Sequence, residues 1–82
     1  MKTNELKKGQ RVKLRNGWEA EIADNMRGNT RLAKVFGDFT ELGSVYAHNI
    51  LHYRSGTDTG WLPVQHTSAQ IKLRMVVERI GL

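Results

Sequence analysis

Apolar residues alternate with basic ones over residues 11–15: Val12 and Leu14 fall on one side of an extended chain, Arg11, Lys13 and Arg15 on the other. Period-two alternation predicts a half-buried strand. The pattern returns over residues 18–26, where Trp18, Ala20, Ile22 and Met26 share one side against Glu19, Glu21 and Asn25. Asp24 breaks into the apolar side and predicts a bend or bulge there. Between the two runs, Asn16-Gly17 signals a hairpin. A two-residue turn would set Lys13 against Ala20 and Val12 against Glu21, mixing charge with core on both faces. A loop of Arg15, Asn16 and Gly17, with Gly17 left-handed, removes the conflict. Leu14 then faces Trp18, Val12 faces Ala20, Lys13 faces Glu19 and Arg11 faces Glu21.

Further along, a turn at Arg27-Gly28-Asn29 leads to a third strand over residues 30–37, closed by Gly37-Asp38. Residues 44–51, SVYAHNIL, read as a fourth strand that ends in a short helical turn. Val45 and Ala47 are expected to face inward there, and Tyr46 outward. RSGTDTG, residues 54–60, reads as a loop before a short strand at 61–64. Pro63 cannot donate to a ladder and places that strand at an edge. The C-terminal segment fits two patterns. Ile71, Leu73, Met75 and Val77 alternate as in a strand, while Leu73, Val76, Val77 and Ile80 recur with helical spacing. Thr67 with Gln70 forms a capping-box pair and Gly81 a stop, so the preferred reading is a helix over 67–80. Residues 1–8 read as a polar arm with a helical turn around residues 4–8.

Composition narrows the class. A chain of 82 residues without repeats or a linker is expected to form one domain. With no cysteine, neither disulfides nor thiolate-bound metal can supplement a small core. No apolar run resembles a signal peptide or a membrane span, so a cytoplasmic protein without a membrane partner is expected. Charge is unevenly placed. Residues 1–15 hold six basic side chains and one acid, whereas residues 16–82 hold seven of each, so the whole net +5 sits at the amino-terminal end. Such asymmetry steers anionic partners, although the expected hairpin sets two of these cations against glutamates.

These elements suggest a mainly β fold: a small, strongly bent, five-stranded barrel over residues 9–65, followed by one C-terminal α-helix. The stretch LKKGQRVKLRNGWEAEIADN, with the later GSVYAHNIL, resembles the SH3-like small-barrel group, including its KOW-type modules. The compact, charged style is also similar to that of accessory proteins of phages and other mobile elements. The SH3-like resemblance implies binding of RNA, DNA or protein without choosing among them.

Catalytic signatures do not survive inspection. Asp58-Thr59-Gly60 spells the aspartic-protease triplet, yet it follows polar Arg54-Ser55-Gly56-Thr57 rather than an apolar strand, and reads as a turn. His48 and His52 stand four apart with His66 later, but no third ligand lies near them in sequence, so neither a metal nor another cofactor is expected. Trp18 and Phe36 are the aromatic core candidates. Tyr46, Tyr53 and Trp61 fall near strand ends, where exposed rings stack bases or anchor proteins. The function expected is a non-enzymatic module that grips nucleic-acid phosphates through Lys7, Lys8, Arg15, Arg27, Arg31 and Lys34. The rival is a protein-interaction module, such as a mobile-element factor docking on a host protein through Ile71 and Met75 or through Tyr53 and Trp61. Self-association, for instance as a homodimer, is the third reading.

Overall fold

The computed structural model describes residues 1–25, 29–54 and 60–79. Its strands are β1 (Arg11–Leu14), β2 (Glu19–Asp24), β3 (Thr30–Phe36), β4 (Thr40–Tyr46), β5 (Ile50–Arg54) and β6 (Leu62–Pro63). Helix α1 (Ser68–Arg79) follows, and 3-10 turns occur at Thr3–Glu5 and Ala47–Asn49. The protein is thus mainly β with one C-terminal helix. The strands form a single six-stranded sheet in the order β4-β3-β2-β1-β5-β6, antiparallel throughout. Five strands were expected and six are seen. Among the described residues no ladder joins β4 to β6, so the sheet is not closed.

The first hairpin adopts the register that keeps charge off the core. Arg11 pairs with Glu21, Val12 with Ala20 and Lys13 with Glu19. Gly17 has φ +91°, and its N–H donates to the Leu14 carbonyl at 2.9 Å. Only glycine reaches that left-handed backbone region without steric cost. The Asn16 Oδ1 accepts the Trp18 N–H at 3.0 Å and fixes the turn from the other side. At the far end of β2 the register against β3 shifts between Ile22 and Asp24, where the apolar pattern breaks.

The inner face carries Val12, Leu14, Ala20, Ile22, Ala33 and Ile50, joined by Leu6 and Val64. Burying each of the larger aliphatic side chains is worth about 1.5–3 kcal/mol. The aromatic core candidates lie elsewhere. Trp18 is 44% exposed, its indole lying across Gly37 so closely that a Cβ there has no room. Phe36 pairs with Glu19 and therefore sits on the outer, polar face. Small aliphatic residues fill the core without them.

The expected strand over 44–51 is two strands. β4 begins earlier, at Thr40, and stops at Tyr46; the 3-10 turn then redirects the chain so that β5 pairs with β1. The short helical turn expected within that segment is this one. Ala47 is buried, as expected, but in the turn rather than in a strand. β6 lies at the sheet edge, where Pro63 needs no donor.

The first residues are docked rather than free: Thr3 and Leu6 are buried, and Lys2 bridges Gln65 in parallel. The C-terminal ambiguity resolves to helix, entered by a reciprocal capping box. The Thr67 N–H donates to Gln70 Oε1 at 2.9 Å, and the Gln70 N–H to Thr67 Oγ1 at 3.2 Å. α1 packs chiefly on the Ala47–Asn49 turn. Met26, the Arg27-Gly28 part of the second turn, Ile80, Gly81 and the Asp58-Thr59 pair lie outside the described residues.

Candidate nucleic-acid interface

Pairing across the sheet composes the outer face from two rows. One runs Arg54, Arg11, Glu21, Lys34 and Leu42 from β5 to β4. The other runs Pro63, His52, Lys13, Glu19, Phe36 and Thr40 from β6 to β4. Cations, carboxylates and aromatic rings thus share one surface because strand alternation puts them there.

Glu19 organises the middle of it. Its Oε1 lies 3.8 Å from Arg11 Nη1 and 3.6 Å from Arg54 Nη2. The guanidinium of Arg11 stands 4.4 Å from the Phe36 ring centroid, and that of Arg54 stands 4.4 Å from Trp61. Lys13 approaches the Trp61 ring at 5.4 Å instead of pairing with the glutamate opposite it in register. These contacts are half-exposed, so each contributes about 1 kcal/mol. One carboxylate shared by two guanidiniums leaves the centre of the face positive.

Beside this centre, Met1, Lys7, Lys8, Gly9, Gln10, Arg11, Glu19 and Arg54 line an open cleft of about 770 Å³. Lys7 and Lys8 are exposed and make no ion pair among the described residues. Lys8 also borders a smaller apolar groove with Lys34, Ile22 and Leu42. Of the six cations expected to bind phosphate, Lys7, Lys8 and Lys34 therefore come together.

Two others do not. Arg31 is only 1% exposed and cannot reach a phosphate. It donates to Asn25 Oδ1, to Asn4 Oδ1 and to the Thr30 carbonyl, while Asn25 Nδ2 donates to the carbonyls of Asn4 and Leu6. This network fastens the amino-terminal segment to β3, and burial lowers the guanidinium's pKa. Arg15 donates to the His48 carbonyl at 2.6 Å and to Asn49 Oδ1 at 3.2 Å, bracing the second 3-10 turn. Arg27 lies outside the described residues.

Among the aromatic candidates only Trp61 joins the cationic face. Tyr53 pairs with Val12 and packs against the core. Tyr46 stacks on His48, centroid to centroid 4.9 Å. Ile71 and Met75 are exposed on α1, 48% and 58%. Arg54 and Phe36 belong to the face but were not among the expected binding residues. Both alternate correctly within their strands, yet only the β1–β5 and β2–β3 registers reveal that they share a surface.

His48 has a different character. It is 3% exposed and its Nδ1 has no hydrogen-bond partner. Burial first, then the charges of Arg15, His66 and Arg74, push its pKa below the usual 6.5, with Glu78 opposing. The unfolded chain accepts this proton more readily than the folded one, so stability holds above about pH 6.5 and declines as pH falls below it. Urea midpoints at pH 7.5 and 5.5 are expected to show that decline, and His48→Gln to flatten it. Equal midpoints in the parent, or an undiminished decline in the variant, contradict the assignment.

Among the described residues no three His, Asp or Glu side chains gather to hold a metal ion, and no helix is long and apolar enough to cross a membrane. No protein-family model, curated protein or solved structure matches this chain.

Proposed function

We propose that this chain is a non-enzymatic small-barrel module that binds nucleic acid, DNA or RNA, mainly through phosphate contacts. One observation carries the reading: Lys7 and Lys8, exposed and without ion pairs among the described residues, share a cleft with Arg11 and Arg54. Lys34 extends that surface across the sheet through Lys8. Such groups neutralise phosphates and release counterions with little sequence preference. The SH3-like resemblance leaves room for it, since that group includes binders of RNA and DNA. A cytoplasmic location and an accessory role in a mobile element belong to the same reading.

A salt titration tests it. Binding of a labelled oligonucleotide is expected at 50 mM salt and should fall steeply by 200 mM. No binding at low salt, or affinity indifferent to salt, overturns the reading.

A second reading has its own observation. Ile71, Met75 and Val76 are exposed together on α1, as protein-docking anchors are. A protein partner retained on the immobilised chain after nuclease treatment, and lost on Met75→Glu, supports docking on a host protein.

A further inference from the structure

We infer that the outer face takes single-stranded rather than duplex nucleic acid, with Phe36 and Trp61 as two base-stacking platforms; this rests on the nucleic-acid reading above. The starting point is that each ring is covered by a guanidinium rather than by core. Arg11 caps Phe36 and Arg54 caps Trp61, both at 4.4 Å, and both guanidiniums reach Glu19 between them. The rings therefore lie at the two ends of one chain of contacts, Phe36–Arg11–Glu19–Arg54–Trp61, on an exposed sheet. Phe36 is on β3 and Trp61 immediately precedes β6. Those strands are four spacings apart in the sheet order, at most about 19 Å. A few nucleotides of extended strand cover that distance.

Both capping arginines line the same cleft as Lys7 and Lys8. A base that settles on a ring displaces a guanidinium whose remaining ion pair is with one shared, half-exposed carboxylate. The freed guanidinium then turns to the phosphate of the same strand. Base stacking on aromatic rings is stronger than an exposed cation–π contact, so the exchange is favourable. A duplex offers no base faces, and a six-stranded sheet bearing side-chain rings is too broad to enter its grooves. Single strands use the whole face; duplexes use only its cations.

The test compares oligonucleotides of equal phosphate number: a thymidine and a uridine single strand, an abasic strand and a duplex. Anisotropy at low salt is expected to show the base-bearing strands binding more tightly than the abasic strand, by about tenfold for each ring engaged. Phe36→Leu and Trp61→Leu are expected to bring base-bearing and abasic strands to the same affinity, with circular dichroism verifying the fold. The thymidine and uridine arms separate DNA from RNA as the source of the strand. Abasic binding as tight as that of intact strands, or a preference for duplex, overturns the inference and leaves the phosphate reading standing. Failure of all four polymers to bind removes both.

Discussion

Replacing Arg31 with methionine is expected to destabilise the protein by about 3 kcal/mol, although the substitution removes a charge from a basic chain. The side chain is 1% exposed and donates to two asparagine oxygens and a carbonyl. Methionine fills much of the volume but leaves Asn4 Oδ1, Asn25 Oδ1 and the Thr30 carbonyl without this donor. A buried acceptor stripped of its partner costs about 1–3 kcal/mol, and relaxation toward water recovers part of the total. For a domain of this size 3 kcal/mol corresponds to a fall in Tm of about 12–24 °C. Calorimetry or thermal circular dichroism reads it directly. A shift of only a degree or two would mean that Arg31 is a surface cation after all. Arg31→Lys separates charge from geometry: lysine keeps the charge but not the planar fork, so it too is expected to destabilise.

Reversing Lys7 and Lys8 to glutamate is expected to have the opposite profile, a small effect on folding and a large one on binding. Both side chains are exposed and make no ion pair among the described residues, so stability should change by less than about 0.5 kcal/mol each. Binding loses two phosphate contacts and acquires two repulsions in the cleft shared with Arg11 and Arg54. Affinity is expected to fall on the order of a hundredfold at low salt, for any sequence of the polymer. An unchanged affinity would move the phosphate contacts elsewhere. Charge reversal at Arg15 is a poor substitute, because its guanidinium already serves the His48 carbonyl and Asn49.

Local patterns carried the parts of the fold that depend on neighbouring residues. The alternation around Asn16-Gly17 was enough to fix the hairpin register, since a slip by one residue would bury Lys13 or Glu21. Asp24 marked the bulge, and Thr67 with Gln70 marked the start of α1. Residues whose surroundings come from distant segments were misjudged. Arg31 looks like any strand-end cation until Asn4 and Asn25 are brought to it. Phe36 and Trp18 looked like core because large aromatics usually are, but β3 turns Phe36 outward and Gly37 gives Trp18 a surface seat. The helical turn after Tyr46 was legible, but the separate strand β5 beyond it was not, because its existence rests on the pairing with distant β1.

The same limit applied to the interface. Lys7, Lys8 and Lys34 were legible as exposed cations from composition and turn context. Arg54 was not, because its place beside Arg11 depends on a pairing across some forty residues of chain. The partial neutralisation expected for Arg11 and Lys13 takes another form: Glu19 is shared between Arg11 and Arg54, and Lys13 turns to Trp61.

What decides the matter is the number of counterions released when the chain meets a polyanion. The slope of log affinity against log salt, measured for the parent and for Lys7→Glu/Lys8→Glu on one oligonucleotide, counts them directly. If both lysines contact phosphate, the parent slope is steeper by about 1.4 on a single strand. Parallel lines, or a parent whose affinity ignores salt, would contradict a phosphate-gripping role for this cleft.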